Sequence, residues 1–106
     1  MSRILRMSDA ASRDLGAARQ WLTQPGAGAA AAKRLTMIEF ALRELELYPC
    51  RWPRGEYSGV RERPVEGFMI IYRVHPDTDD NRTAGDVLIV RVFGPHQRRD
   101  HLSIKK

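Results

Sequence analysis

Arginine is the residue type in this sequence with the clearest capacity for binding chemistry. The 106-residue chain has 18 lysines and arginines against 13 aspartates and glutamates, which gives a net charge of +5. Only Lys33, Lys105 and Lys106 are lysines, so 15 of the cations are arginines. The planar guanidinium group pairs bidentately with carboxylate or phosphate. An acidic protein and a nucleic acid are therefore both candidate partners.

The candidate binding cations fall into two groups. One group lies in segments with a strand-like pattern, where long cations are expected only at an exposed or partnered surface; its members are Arg61, Arg63, Arg73 and Arg91. The other group lies in a basic C-terminal segment, about 95–106, with Asp100 as its single acid; its cations are Arg98, Arg99, Lys105 and Lys106. For any single strand arginine, the alternative interpretation is a solvated outer face of a sheet.

Other reactive side chains do not form a recognisable site. Cys50 is the only cysteine, which excludes an internal disulfide, and no histidine lies near it in sequence to act as a base. Asp77, Asp79 and Asp80 resemble a cation-binding loop, but the glycine and the terminal glutamate of a calcium loop are absent, so a solvated turn is predicted. No Cys or His cluster has metal-ligand spacing. We therefore expect no metal and no cofactor.

Length and hydropathy limit the class of protein. A chain of 106 residues is long enough for one hydrophobic core and too short for two, which predicts a single domain over residues 1–106. Met1 to Ser8 lack the apolar stretch of a signal peptide, and no run of roughly 18 apolar residues occurs anywhere. The sequence therefore predicts a reduced cytoplasmic protein that does not cross a membrane.

The first half of the chain has helical periodicity. A short strand over residues 3–7 precedes Ser8-Asp9, a good helix N-cap. Apolar residues then recur at helical spacing over residues 9–23, and again over residues 27–48. The first stripe is Ala11, Leu15, Ala18 and Leu22, and Trp21 widens it; the second is Ala31, Leu35, Ile38, Leu42 and Leu45. Because only a few residues around Pro25-Gly26 connect them, the two helices should form an antiparallel hairpin that ends at Pro49.

The second half alternates with a period of two, which is typical of strands. Strands are predicted over residues 59–65, 68–74 and 87–93, with a tight turn at Glu66-Gly67. Phe68, Ile70, Tyr72 and Val74 share the face expected to lie in the core. The element order β-α-α-β-β-β predicts an α+β fold, in which the helical hairpin packs on one face of a mostly antiparallel sheet. The other face should stay partly open and carry the strand arginines.

Taken together, these segments resemble the ParE/RelE toxin family over nearly the whole chain. The segments that carry the resemblance are Ser8 to Leu15, Leu42 to Pro49, Gly59 to Glu62, Gly67 to Val74, Val87 to Phe93 and His96 to Asp100. The resemblance implies the toxin of a bacterial type II toxin–antitoxin pair. It also implies a hetero-oligomer with a cognate antitoxin, whose disordered acidic segment folds across the basic toxin surface. We expect Arg61, Arg73 and Arg91 to contact that antitoxin.

The two branches of this family differ in mechanism. RelE-like members resemble ribosome-dependent endoribonucleases, which need a base, a proton donor and cations around the phosphate. Here Met69 stands where that pattern has an arginine, and no tyrosine follows Tyr72. These departures favour the ParE-like branch, whose members resemble inhibitors that bind DNA gyrase and stabilise its cleaved-DNA state without being enzymes. We then expect no catalytic residue, and target contacts from Arg98, Arg99, Lys105 and Lys106.

Two alternatives stay open at this point. The first is a RelE-like endoribonuclease acting on messenger RNA at the ribosome, with His96, Arg98 and Arg99 supplying a base and a cationic clamp. The second is a basic nucleic-acid-binding module with no toxin role. Such a module interleaves aromatic residues with cations on one sheet face. Phe68 and Tyr72 instead share their face with aliphatic residues, which indicates core.

Overall fold

The computed structural model describes residues 3–95 and has the predicted α+β architecture. Its elements, in chain order, are β1 (Leu5–Met7), α1 (Asp9–Leu22), α2 (Gly28–Leu47), β2 (Arg61–Val65), β3 (Phe68–His75) and β4 (Asp86–Phe93). The β-α-α-β-β-β order predicted from the sequence is therefore confirmed. The basic segment that holds Arg98, Arg99, Lys105 and Lys106 lies outside the described residues, as does His96.

Both helices begin and end within one residue of the predicted bounds. Ser8 caps α1, because its Oγ accepts a hydrogen bond of 3.0 Å from the backbone N–H of Ala11. The predicted residues Thr23, Ala27 and Tyr48 are cap positions rather than helical residues. Within the described part of the chain, neither helix is both long and apolar enough to cross a membrane.

The sheet has the strand order β1-β4-β3-β2, with β1 parallel to β4 and the other pairs antiparallel. The β2–β3 turn is Glu66-Gly67, where both residues have positive φ (51° and 81°), as a tight hairpin turn requires. Pro64 is tolerated in β2 because this strand lies at the sheet edge. β2 starts at Arg61, two residues later than predicted, since Gly59 has a φ of 80° that strands do not adopt.

The main core lies between the helices and the sheet. The predicted face of β3 is buried there with the apolar stripes of both helices, which confirms the core assignment of Phe68 and Tyr72. A second cluster lies on the opposite face, where Val60, Ile71 and Phe93 are buried. One end of the face expected to be open is therefore apolar and covered, and the remaining open surface lies toward β1 and the far end of β3.

Tyr72 joins the sheet to the end of α2. Its hydroxyl is fully buried and donates a hydrogen bond of 2.7 Å to the carbonyl of Pro49. We predict that Tyr72→Phe lowers the free energy of unfolding by about 1–3 kcal/mol, because the Pro49 carbonyl loses its buried donor. Urea denaturation measures the change, and the exposed Tyr48→Phe is the control. Equal stabilities of the two variants would contradict the assigned role of this hydrogen bond.

Candidate binding surfaces

Arg61 is the first residue of β2 and only 4% exposed. Its Nε and one terminal nitrogen donate to the two carboxylate oxygens of Asp77, both at 2.8 Å, and the same terminal nitrogen donates to Asp79 at 2.6 Å. The other terminal nitrogen donates to the backbone carbonyl of Trp52 at 2.6 Å. Arg61 therefore fastens the segment after α2 and the loop after β3 to the edge of the sheet.

Arg54 completes an ion-pair cluster with Arg61, Asp77 and Asp79. It donates to Asp79 at 2.9 Å and lies 3.5 Å from Asp77. The hydrogen bonds from Arg61 lower the pKa of Asp77 to about 2 and, together with those from Arg54, lower the pKa of Asp79. The predicted solvated turn is therefore wrong for Asp77, which is a half-buried partner of Arg61 rather than a freely hydrated carboxylate.

Two more strand arginines are paired with acids on the helices. Arg91 donates two hydrogen bonds to Asp14 of α1, at 2.7 and 2.9 Å. Arg63 donates to Glu44 of α2 at 2.9 Å, and its guanidinium carbon lies 4.1 Å from the ring centre of Trp52. These contacts hold both helices against the sheet, so the positive charges of Arg91 and Arg63 are largely matched within the chain.

The register of β2 places Arg61 and Arg63 on the helix side of the sheet. Arg61 is opposite Tyr72, and Arg63 is opposite Ile70. Directly opposite residues of an antiparallel pair point to the same face, and both partners lie in the main core. The expectation that all four strand arginines share the open face is therefore wrong for Arg61 and Arg63, and also for Arg91, whose guanidinium is bonded to Asp14 of α1. Because β2 is an edge strand, the long side chains of Arg61 and Arg63 can extend past the margin of the core and pair with acids there.

The open face carries a row of three residues, two of them arginines, which we call the open-face row: Arg6 of β1, Leu88 of β4 and Arg73 of β3. Leu88 is the register partner of both arginines, so the three side chains stand beside one another across the sheet. The next row pairs His75 with Asp86. The sequence predicted Arg73 but missed Arg6, because a three-residue strand has too little pattern to reveal its neighbour in the sheet.

Two grooves border Arg73 on this face. The first, of about 420 Å³, is lined by Arg6, Arg73, His75, Asp86, Val87 and Leu88. The second, of about 330 Å³, is lined by Arg54, Ser58, Gly59, Arg73, Val74, His75 and Asp77. Arg73 and His75 line both grooves, so the two form a continuous track across the open half of the sheet.

A third groove lies on the helix side and is mostly apolar. This helix-side groove, of about 390 Å³, is lined by Arg13, Asp14, Ala17, Ala18, Trp21, Phe68, Val92, Gly94 and Pro95. Trp21 is 44% exposed here rather than fully buried in the helical hairpin. The Arg34 guanidinium lies 5.8 Å from the Trp21 ring and 5.6 Å from the Phe68 ring. The groove thus combines apolar walls with cations at its rim.

Residues with reactive side chains are held in structural roles. Burial raises the pKa of the Tyr72 hydroxyl, which is engaged with Pro49. Burial also raises the pKa of the Cys50 thiol, whose Sγ lies 3.7 Å from Asp77. Within residues 3–95, no group of three or more His, Cys, Asp or Glu residues is arranged to hold a metal ion. Direct contact of Arg61, Arg73 or Arg91 with an antitoxin stays a prediction.

The fold and surfaces define a small basic α+β protein whose exposed grooves suit binding to another macromolecule. A family model described as ParE toxin of type II toxin-antitoxin system, parDE, matches residues 5–101. The chain therefore belongs to the ParE toxin family. No curated protein matches the sequence.

The fold is also similar to a solved structure titled "Chromosomal ParDE TA system from P. aeruginosa". The two chains are 20% identical and superpose with a TM-score of 0.64, and the match covers 88% of this chain and 96% of the other. At this level of identity the likeness concerns the fold.

Asp77 should make the stability of the protein depend on acid pH. Its pKa in the folded state is about 2, below the ordinary 3.8, so its stabilising effect is complete above 3.8 and is lost as the pH falls toward 2. We predict that between about pH 5 and pH 2 the wild type loses about 2 kcal/mol more unfolding free energy than Asp77→Asn. Urea denaturation at each pH measures this difference.

Glu56→Gln is the control for the pH experiment. The Glu56 side chain is exposed and forms no ion pair within residues 3–95. This variant should therefore follow the wild-type pH curve. Parallel curves for the wild type and Asp77→Asn would show that Asp77 has no linkage to folding.

Proposed function

We propose that this protein is a ParE-like toxin that acts in the cytoplasm, inhibits DNA gyrase by binding, and is neutralised by a cognate antitoxin. The match of the ParE family model to residues 5–101 is the observation that carries the proposal. The net charge of +5 is consistent with attraction to both an acidic antitoxin and a DNA–gyrase complex.

Two residues at positions where a RelE-like ribonuclease would need catalytic groups, Tyr72 and Met69, support binding rather than catalysis. The Tyr72 hydroxyl is buried, donates to Pro49 and has a raised pKa, so it is a poor base for the 2′-hydroxyl of RNA. Met69 cannot supply the charge that stabilises a phosphate in the transition state. A protein that prefers the cleaved-DNA state of gyrase by a few kcal/mol shifts its population by orders of magnitude, so the mechanism requires no chemistry.

The basic C-terminal segment is our proposed contact with the target. Arg98, Arg99, Lys105 and Lys106 follow β4 in the sequence and stand against a single acid, Asp100. They form the most basic stretch of the chain. Four cations in so short a segment suit an acidic protein surface or a DNA backbone, either of which a DNA–gyrase complex presents.

The helix-side groove is our proposed docking site for an apolar side chain of the antitoxin. A disordered segment that folds on binding must bury apolar surface to offset its ordering entropy. Trp21, which is 44% exposed, supplies most of that surface in the groove, and the exposed Ala17 and Pro95 add to it. Arg13 lines the same groove and Arg34 stacks beside Trp21, so carboxylates of the segment find cations at the rim.

The gyrase target is tested with purified toxin in a DNA supercoiling reaction and, separately, in a translating-ribosome cleavage assay. We expect inhibition of supercoiling and no cleavage of messenger RNA. Inhibition should weaken in the double variant Arg98→Glu, Arg99→Glu, because reversed charges repel an acidic target. The paired variant Arg43→Glu, Arg82→Glu reverses two exposed charges elsewhere and should inhibit like the wild type. Ribosome-dependent cuts together with normal gyrase activity would refute the proposed target.

The antitoxin site is tested by placing a carboxylate in the helix-side groove. Ala17→Glu should weaken antitoxin binding about tenfold, a loss of roughly 1.4 kcal/mol, because the charge obstructs the apolar wall and repels acidic residues. Ala32→Glu is the matched control, since it makes the same change at another exposed helical alanine. Isothermal titration calorimetry gives both affinities. Equal affinities for the two variants would remove the groove from the interface.

A further inference from the structure

We propose that the open-face row, Arg6–Leu88–Arg73, together with His75, is a binding site for the phosphodiester backbone of nucleic acid. Arg6 and Arg73 are both register partners of Leu88, on either side of it. Since neighbouring strands lie about 4.8 Å apart, the Cα atoms of the two arginines are separated by about 10 Å. Two long guanidinium side chains at this separation, on one face, can contact phosphates of the same strand.

The two grooves beside the open-face row form a channel in which a nucleic-acid backbone could lie. His75 and Arg73 line both grooves, and Ser58 extends the second with a further hydrogen-bond donor, whereas Arg54 lines it with its guanidinium paired to Asp77 and Asp79. The track thus presents cations and donors over two adjoining stretches of the sheet. Side chains of this kind make most of the contacts that proteins form with the nucleic-acid backbone.

Two acidic residues, Asp86 and Asp77, border the track, and the charge of Asp77 is matched by Arg61. Asp86 lines the first groove, and its carboxylate accepts a hydrogen bond of 3.0 Å from the backbone N–H of Ile4. Asp77 lines the second groove and is paired bidentately with Arg61. Arg6 forms no ion pair within residues 3–95, whereas Arg61, Arg63 and Arg91 do. The positive charge of Arg6 is therefore available to a ligand.

The surface suits a nucleic-acid backbone better than an acidic peptide. A peptide that orders on binding needs an apolar surface to bury, and Leu88, 37% exposed, is the main apolar side chain in the row. Phosphates require only cations and hydrogen-bond donors, which the track has. No Phe, Tyr or Trp lines either groove, and His75 is the one ring there, so the grooves lack a row of rings on which successive bases could stack. Binding should consequently be independent of sequence and sensitive to salt.

This inference deepens the proposed function and rests on it in one respect: the DNA that the toxin would meet is DNA held by gyrase. The site would then add a DNA contact to a contact with the enzyme. Binding of DNA by the isolated toxin can nevertheless be measured without gyrase, so the two proposals are tested apart.

The test measures the affinity of the full-length toxin for a short fluorescent DNA duplex by anisotropy at several salt concentrations. The variants are Arg6→Gln, Arg73→Gln and their combination, and Arg43→Gln is the matched control on the outward surface of α2. We expect the combined variant to bind about tenfold more weakly. Each substitution should reduce the slope of log K against log salt by about one, because one phosphate contact is lost. Arg43→Gln should keep the wild-type slope.

Each result decides the proposal. Slopes for the open-face variants equal to that of Arg43→Gln would overturn it, as would unchanged DNA affinity combined with weakened antitoxin binding, which would make the face a peptide site. Circular dichroism checks folding, and if Arg73→Gln is unfolded, the exposed Arg6→Gln decides alone.

A salt slope that falls in the Arg6 and Arg73 variants, together with no inhibition of gyrase, would support the DNA site and refute the gyrase proposal. Inhibition of gyrase by a toxin that binds no DNA would refute the DNA site and support the gyrase proposal.

Discussion

The burial of the Arg61 guanidinium is the constraint on which much of the surface depends. A cation that is 4% exposed is tolerated only if it is paired and its N–H groups have acceptors. Asp77, Asp79 and the carbonyl of Trp52 meet this requirement from two segments that have no regular secondary structure of their own. Removing one partner of such a buried pair costs about 3–5 kcal/mol, so the pairing fixes where both segments lie. The second open-face groove is built from their residues.

The arginines of this protein divide according to whether an acid of the same chain reaches them. Arg91 and Asp14 join β4 to α1, and Arg63 and Glu44 join β2 to α2. Their charge stabilises the fold and contributes little to the field outside. Within residues 3–95, Arg6 on the open face forms no ion pair, so its positive charge contributes to the field outside the protein. Total charge identifies the kind of partner, whereas pairing determines where that partner can bind.

Local sequence signals were sufficient for the elements and insufficient for the pairings between them. The Ser8 cap, the apolar stripes and the Glu66-Gly67 turn are encoded by neighbouring residues, and the structure confirms all three. The contact of Arg91 with Asp14 spans 77 positions, and no periodicity links the two residues. The parallel pairing of β1 with β4, which brings Arg6 beside Leu88, is equally non-local. The prediction that Arg61 lies on the open face was wrong. In an edge strand, a long cationic side chain can reach acids at the margin of the core.

The two faces of the sheet differ in what they require of a ligand, although both are bordered by cations. On the helix side, the exposed Trp21 and Ala17 offer apolar area, which a folding peptide needs to offset its loss of entropy. On the open face, Arg6 and Arg73 offer charge with little apolar area, which suffices for a phosphate backbone. If both proposals hold, the antitoxin and DNA occupy opposite sides of one sheet. In that arrangement an antitoxin segment in the helix-side groove does not compete with DNA for Arg6.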